Sequence, residues 1–356
     1  MKVCIFIGSY DFREDKLFQK VLETQNIEVI GCREEIHSIS SGIKAYFKMF
    51  FRHRKLDYDV MIIPWRGILT FPLAKLVCNK PIIFWSNLSI YHTLIEDRKI
   101  ASPKSLKAKI IHFVEKYVIN HSDMIITESR AQGDFFINEY NLDEKKLRNS
   151  VNSADETKFL PMPLKEQTKE FVVTFFGSFL PAHGTETIIE AAKILSKEKD
   201  IVFNFCGEGL LKKTTEGLTK KYQLKNVKFL GHLEVDVLLQ YIKDSDVCLG
   251  LFGKSVKAEN VIPNKILQIL ATQKPLITMD SKAIKEIVVN GKNCILVPPG
   301  NPQKLAEAIL ILKNDPLMRE EIALKGHRLY LEKLSMNETG KRLVGFFKEV
   351  QQIRSQ

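Results

Sequence analysis

Short apolar runs alternate with amphipathic helical patterns along the whole chain, in two successive series. Runs that are apolar on both faces and separated by helices are typical of parallel sheets covered by helices on both sides. The sequence therefore predicts two doubly wound α/β domains, with ligands at the carboxyl ends of the strands and in a cleft between the domains. The expected strands are 3–8, 27–32, 59–64, 81–86 and 123–128, then 171–177, 201–207, 227–231, 247–252, 275–279 and 294–298.

A polar segment at 159–171, which contains Pro161 and Pro163, separates the two series and is the expected linker. The length of 356 residues suits two domains better than one. We therefore expect domains at 1–162 and 163–335, followed by a helical pattern at 336–356.

Composition narrows the class of protein. No apolar run reaches the roughly 18–20 residues of a transmembrane helix, and the apolar stretch of the N-terminus is short and lacks a cleavage site, so a cytoplasmic protein is expected. The six cysteines are scattered without C-x-x-C pairing, which favours reduced core residues over a zinc site or disulfides. A net charge of +11 suggests an acidic partner, either nucleic acid, an anionic membrane or a nucleotide-diphosphate sugar. Because the lysines are dispersed and no recognised module occurs, nucleic acid is the least favoured.

Two glycine-containing loops each stand between an expected strand and an expected helix. The first runs from Gly177 to Gly184, and the second contains Gly207 and Gly209. Glycines there let backbone N–H groups approach a phosphate closely, although the same pattern fits ordinary βα turns. Neither loop matches a P-loop or a dinucleotide fingerprint.

A third helix start lies in VIPNKILQILATQKPLIT, residues 261–278. Pro263 suits a first turn, where Asn264 and Lys265 accompany free backbone donors. A lysine opposes the helix dipole there, which suggests a bound anion, although first-turn lysines are commonly just solvated.

The order of these segments resembles family 4 of the retaining glycosyltransferases, which have the GT-B fold. The matching segments are GSFLPAHG, CGEG, VKFLGHL, DSDVCL, PNKILQILATQKP and EIVVNGKNCILVPPGNPQKLAEAI, within about 171–312. In the first half, 115–136 and VNSADETKFLP at 151–161 resemble the family less sharply.

The resemblance implies a function and an architecture. A sugar would pass from a nucleotide-diphosphate sugar, used as co-substrate without a further cofactor, to an acceptor hydroxyl, with retention and without metal. Both domains would be Rossmann-like, the first binding the acceptor and the second the donor, with helix 336–356 crossing back to the first.

The sequence departs from the family at several positions. The family's two glutamates fall on Asn260, with Glu259 beside it, and on Gln268, while its arginine and lysine fall on Ser178 and His183. Amides can form hydrogen bonds but carry no charge, which leaves Lys265 as the main cation. Two alternatives therefore stay open: a catalytically inactive GT-B partner or scaffold, and a GT-B sugar-nucleotide epimerase, which would need converging carboxylates.

The expected site residues fall into three groups. Segment 86–99 follows a strand end and suits acceptor binding, and His92 there is a candidate acid–base residue only if transfer is inverting. The D-x-D triplets 57–59 and 244–246 precede apolar strands and are not expected to bind metal. The candidates are catalytic Lys265, His183 and His92; donor-binding Gly177, Ser178, Gly184, Gly207, Gly209, His232, Glu259, Asn260, Asn264 and Gln268; and acceptor-binding Asn87, Asp97 and Arg98.

Two helical patterns carry aromatic and basic residues. In 42–55 one face bears Ile43, Tyr46, Phe47, Phe50 and Phe51, and another bears Lys44, Lys48, Arg52 and Lys55. Segment 104–116 repeats the theme. Such helices can lie on an anionic membrane, although a core-facing helix with a solvated basic side has the same pattern. The membrane interpretation would imply a peripheral protein and a glycan or lipid-linked acceptor in cell-envelope polysaccharide or glycolipid synthesis.

Overall fold

A computed structural model describes residues 1–8, 13–35, 39–164 and 169–355 of the protein. The chain forms two compact units: unit 1 comprises 1–153 and 336–356, and unit 2 comprises 154–335. Residues 165–168 of the expected linker lie outside the described residues.

Unit 1 is built on a parallel sheet with the strand order β2-β1-β3-β4-β5-β6. Its five predicted strands are confirmed, and the sixth, β6, was not predicted because it is a three-residue strand with one buried side chain. The strands are β1 Lys2–Gly8, β2 Glu28–Glu34, β3 Val60–Pro64, β4 Ile82–Ser86, β5 Met124–Thr127 and β6 Leu147–Asn149.

Helices cover both faces of this sheet. They are α1 Arg13–Glu23, α2 Ile39–His53, α3 Phe71–Val77, α4 Leu106–His121 and α5 Arg130–Tyr140. A 3-10 helix, Trp65–Thr70, follows β3 directly, and a π-helical turn, His92–Asp97, comes after β4. These two segments therefore stand at the carboxyl edge of the sheet, where ligands of doubly wound folds bind.

Unit 2 has the parallel order β12-β11-β10-β7-β8-β9. The order reverses between β7 and β10, which makes the carboxyl ends of these two strands the expected ligand crevice. The strands are β7 Phe171–Phe176, β8 Ile201–Cys206, β9 Val227–Gly231, β10 Val247–Leu249, β11 Leu276–Met279 and β12 Ile295–Val297. The helices are α6 Thr185–Ile194, α7 Lys212–Lys221, α8 Val235–Lys243, α9 Val256–Asn260, α10 Asn264–Ala271, α11 Lys282–Lys285, α12 Pro302–Asn314 and α13 Pro316–Leu329.

The last helix, α14 Met336–Ser355, packs on unit 1. Leu343 and Phe347 are buried in the same apolar cluster as Val3 and Ile5 of β1. Two doubly wound units and a terminal helix on the first confirm the predicted fold class. No described helix combines the length and the apolar character needed to cross a bilayer.

The acidic residues that precede apolar strands have a structural role. Asp59 accepts a hydrogen bond from the N–H of Lys2 at 2.8 Å, and Asp246 accepts one from the N–H of Val172 at 2.8 Å. Asp123 does the same for Ile82 at 2.7 Å. Each carboxylate thus satisfies the first backbone donors of the neighbouring strand, at the edge of the sheet opposite the ligand crevice.

Candidate functional site

The switch point of unit 2 brings Gly177 and Lys265 into contact. Gly177 ends the β7 segment with φ +128°, and a Cβ added there would lie 3.0 Å from the Nζ of Lys265. Lys265 reaches this position from the first turn of α10, which begins after Pro263 without a side-chain cap. The amine of Lys265 therefore lies beside the carboxyl end of β7, where the sheet order predicts a ligand.

The side chain of Lys265 is buried without compensation. It is 6% exposed, and its Nζ has no hydrogen-bond partner among the described residues. The Nζ lies 3.9 Å from the centroid of the Phe175 ring. Burial lowers the pKa of Lys265 well below its usual range, because the charged form loses its hydration. A bound anion would supply the missing acceptors and favour the charged form.

His183 shares this environment. Its Nδ1 donates a hydrogen bond to the carbonyl of Ser178. Burial, and then the charge of Lys265, lower the pKa of His183 well below its usual range. The imidazole is therefore neutral, and its Nε2 is left as an acceptor. An acceptor nitrogen suits a sugar hydroxyl better than a phosphate oxygen.

Three other predicted glycines are required by close contacts between loops. Gly184 has φ +62°, and a Cβ on it would lie 2.4 Å from the carbonyl carbon of Phe252. A Cβ on Gly207 would lie 2.0 Å from the carbonyl oxygen of Gly177. Gly209 likewise packs against the backbone of Phe179. Close packing of the loops accounts for these three glycines without a ligand.

The predicted donor residues before α10 lie on α9. The carboxylate of Glu259 accepts a hydrogen bond from the N–H of Lys282 at 3.4 Å, at the start of α11. Asn260 is half-buried at the last position of α9. Neither residue forms a hydrogen bond with the Nζ of Lys265, which has no such partner in the described part of the chain.

The remaining donor candidates lie on α10 and after β9. Asn264 and Gln268 are half-buried and one helical turn apart, so they share a face of α10. His232 is exposed and follows Gly231, the last residue of β9.

In unit 1, the buried carboxylate of Glu115 holds the segment that follows β4. Glu115 accepts hydrogen bonds from the Ser89 hydroxyl at 3.0 Å and from the N–H groups of Ile90 at 2.7 Å and Tyr91 at 3.0 Å. The Tyr140 hydroxyl donates a fourth at 2.7 Å. Glu115 is not among the residues predicted from sequence, although an acidic residue amid the apolar positions of 106–121 is a signal of a paired buried charge.

The segment held by Glu115 carries the acceptor candidates. Asn87 is buried, and its Oδ1 has no hydrogen-bond partner among the residues described. His92 is buried against the Phe135 ring at 4.0 Å, and burial lowers the pKa of His92 to about 4. Asp97 is buried and Arg98 is exposed. His92 is therefore neutral at physiological pH.

The aromatic helices expose much of their apolar face. On α2, Ile43, Phe47 and Phe51 are 57%, 64% and 59% exposed, whereas Tyr46 and Phe50 are half-buried. On α4, Leu106 is 74% and Phe113 68% exposed. The stripe at 43, 47 and 51 is therefore not a core-facing surface of unit 1.

Residues 157–328 match the family of glycosyl transferases group 1. The alpha-D-kanosaminyltransferase of Streptomyces kanamyceticus is 25% identical over 181 residues, which are 50% of this chain and 46% of that protein. The chain thus spans about half the length of this curated relative.

Two solved structures share the fold along their whole length. The sucrose-phosphate synthase of Thermosynechococcus elongatus superimposes with a TM-score of 0.76 at 14% identity, over 99% of this chain and 100% of that one. Anabaena HepE in complex with UDP-glucose gives a TM-score of 0.74 at 16% identity, over 98% and 100%. The match at 157–328 confirms the family that the sequence motifs predict for this part of the chain, and the two solved structures confirm the GT-B fold.

Proposed function

We propose that the protein transfers a sugar from a nucleotide-diphosphate sugar to an acceptor hydroxyl, with retention and without a metal ion. The observation that carries this proposal is the buried amine of Lys265, whose Nζ has no hydrogen-bond partner among the described residues and lies beside Gly177 at the switch point. A diphosphate is the anion that this class of donor brings to such a position.

The chemistry assigns separate roles to the residues around Lys265. As the bond between the anomeric carbon and the phosphate oxygen breaks, negative charge grows on the diphosphate next to Lys265 and the first turn of α10. The Nε2 of His183 accepts a hydrogen bond from a hydroxyl of the transferred sugar. With retention, the acceptor oxygen forms its bond to the anomeric carbon on the same face from which the phosphate leaves. The proton of the acceptor hydroxyl passes to the departing phosphate oxygen.

This course needs no carboxylate at the reacting carbon, so it tolerates the amides Asn260 and Gln268. Asn260 would bind the sugar and Gln268 the ribose through uncharged hydrogen bonds. Because Anabaena HepE was solved with UDP-glucose, uridine diphosphate sugars are the first donors to examine.

We further propose that unit 1 rests on an anionic membrane and takes a glycan or lipid-linked acceptor for cell-envelope synthesis. The support is the exposed stripe of Ile43, Phe47 and Phe51 on α2, which stands beside exposed Lys44 and Lys48. Apolar side chains entering the headgroup layer and lysines near anionic lipids both favour binding. Asn87, Asp97 and Arg98 are the proposed acceptor ligands.

The membrane proposal is tested by co-sedimentation with vesicles. Phosphatidylglycerol vesicles should retain the protein and phosphatidylcholine vesicles should not, and Phe47→Ser should reduce retention about tenfold. Equal retention by both lipids, or by Phe47→Ser and wild type, would contradict it.

The enzymatic proposal is tested by hydrolysis of a panel of UDP-, GDP- and other nucleotide-diphosphate sugars, with EDTA present. Slow release of the nucleotide diphosphate from one donor, and its loss in Lys265→Ala with the fold intact, is the expected result. If no donor is hydrolysed and none raises the melting temperature, the protein is an inactive GT-B partner instead. Interconversion of sugars without transfer would indicate an epimerase.

A further inference from the structure

Unit 1 contains a cavity of about 380 Å³ at the carboxyl edge of its sheet. Its walls are the 3-10 helix after β3, the segment 90–98 after β4, and the middle of α4. This volume lies within the range of about 300–1,000 Å³ that is usual for ligand pockets.

The lining of the cavity is mostly apolar. Trp65, Ile68, Ile90, Ile111 and Val114 supply most of its wall. Leu69 and Ile110 also line it, and both are more than half exposed, at 65% and 53%. The cavity therefore opens towards the exposed apolar surface of α4, so a hydrocarbon chain can enter it from that surface.

A single hydroxyl stands in this apolar wall. Thr93 is 2% exposed, and its Oγ1 has no hydrogen-bond partner within the described part of the chain. A buried hydroxyl without a hydrogen-bond partner is unfavourable. A ligand with an acceptor oxygen at the end of an apolar chain would satisfy it.

Two arginines give the cavity a charge preference. Arg66 and Arg98 both line it, and Arg98 is exposed. The Cζ of Arg66 lies over the Trp65 ring, 5.0 Å from its centroid, so the guanidinium stands next to the apolar wall. Guanidinium groups at the border of an apolar pocket match a phosphate attached to a hydrocarbon chain.

We propose that this cavity binds the phosphate ester end of a long-chain lipid that carries the acceptor. The hydrocarbon lies against Ile68, Ile111 and Val114, the ester oxygen accepts from Thr93, and the phosphate pairs with Arg66 and Arg98. This inference rests on the proposed transferase function, and it names the class of acceptor. It also gives Arg98, predicted from sequence as an acceptor ligand, a defined partner.

The probe is dodecyl phosphate, below the concentration at which it forms micelles, and the signal is tryptophan fluorescence. Of the two tryptophans in the chain, Trp65 lines the cavity, whereas Trp85 is 5% exposed and packs on Phe18. Saturable binding is expected, with dodecanol about tenfold weaker for lack of the charge. Inorganic phosphate should give no signal change.

The variants separate the cavity from the surrounding surface. Ile111→Phe fills the cavity and should weaken dodecyl phosphate about tenfold or more. The matched control is Leu106→Phe, on the same helix, 74% exposed and outside the cavity, which should bind as wild type. Thr93→Val and Arg98→Gln should each reduce the preference for dodecyl phosphate over dodecanol.

Several results would overturn the inference. They are equal affinities for dodecyl phosphate and dodecanol, a signal with inorganic phosphate alone, or equal weakening by Ile111→Phe and Leu106→Phe. Folding of each variant is checked by its melting temperature. Arg98→Gln is expected to fold normally because it changes an exposed side chain. No sugar donor is present in this assay. A protein that binds dodecyl phosphate but hydrolyses no donor would therefore contradict the proposed transferase function and leave the proposed lipid pocket standing.

Discussion

Lys265 and Lys274 are buried lysines at opposite ends of α10, the first in its first turn and the second just beyond its last residue, and their side-chain amines have opposite surroundings. The Nζ of Lys274 donates to the carbonyls of Lys243 at 2.7 Å, Pro163 at 3.0 Å and Ser245 at 3.5 Å. The Nζ of Lys265 has no such acceptor among the described residues. Lys274 is therefore part of the folded framework, whereas the Nζ of Lys265 lacks the acceptors that the proposed diphosphate would supply.

The two lysines should respond oppositely to the same substitution. Lys265→Met removes an unsatisfied buried amine and keeps a side chain that packs on the Phe175 ring, so the free energy of unfolding should rise by about 1–3 kcal/mol. Lys274→Met leaves three carbonyls without their donor and should lower it by about 3 kcal/mol or more. Urea denaturation measures both. A loss of stability in Lys265→Met would show that the amine is structural.

Gly177→Ala should disturb the site directly. The new Cβ would stand 3.0 Å from the Nζ of Lys265, on a backbone with φ +128°. We expect a loss of about 1–3 kcal/mol in stability and loss of donor hydrolysis. Gly217→Ala is the control, since nothing lies within 4 Å of its added Cβ inside α7, and it should gain about 0.5–1 kcal/mol. Normal hydrolysis by Gly177→Ala would argue against a ligand at this position.

The stability of the protein should depend on pH through His92. Its pKa is about 4 in the folded state against an ordinary value of 6.5, so the unfolded chain takes up the proton first as the pH falls. The stabilisation is complete above pH 6.5 and disappears progressively down to about pH 4, by up to about 3 kcal/mol. His92→Gln should flatten this part of the profile in urea titrations. An unchanged slope in the variant would show that His92 is not the source of the effect.

Glu115 is expected to be a positioning residue for the acceptor segment. Glu115→Ala leaves the donors of Ser89, Ile90, Tyr91 and Tyr140 without their acceptor, and should lower the free energy of unfolding by about 3 kcal/mol or more. Tyr140→Phe removes one of these bonds and should lower it by about 1 kcal/mol. Hydrogen exchange at the N–H groups of Ile90 and Tyr91 should rise in Glu115→Ala. Unchanged exchange there would contradict the role.

The sequence predicts the elements that have a periodic or continuous apolar pattern. It does not predict features that depend on contacts between segments far apart in the chain. Fully apolar strands such as Val60–Pro64 are evident because every side chain is buried. The strand Leu147–Asn149 is too short for a periodic pattern. The contact between Gly177 and Lys265 joins residues from two separate motifs. The family resemblance assigned both residues to the donor site, but it did not predict that they touch. The cavity beside Thr93 depends on how three segments pack, which no local pattern records.

The central claim is that the buried amine of Lys265 binds the diphosphate of a sugar donor. Its most direct test is calorimetric titration of wild type, Lys265→Met and Lys274→Met with UDP and with the nucleotide-diphosphate sugar that wild type hydrolyses. We expect binding by wild type and a loss of about 100-fold in affinity in Lys265→Met, without loss of stability. The folded fraction of Lys274→Met should bind with near-normal affinity. Equal affinity of wild type and Lys265→Met for the donor would contradict it.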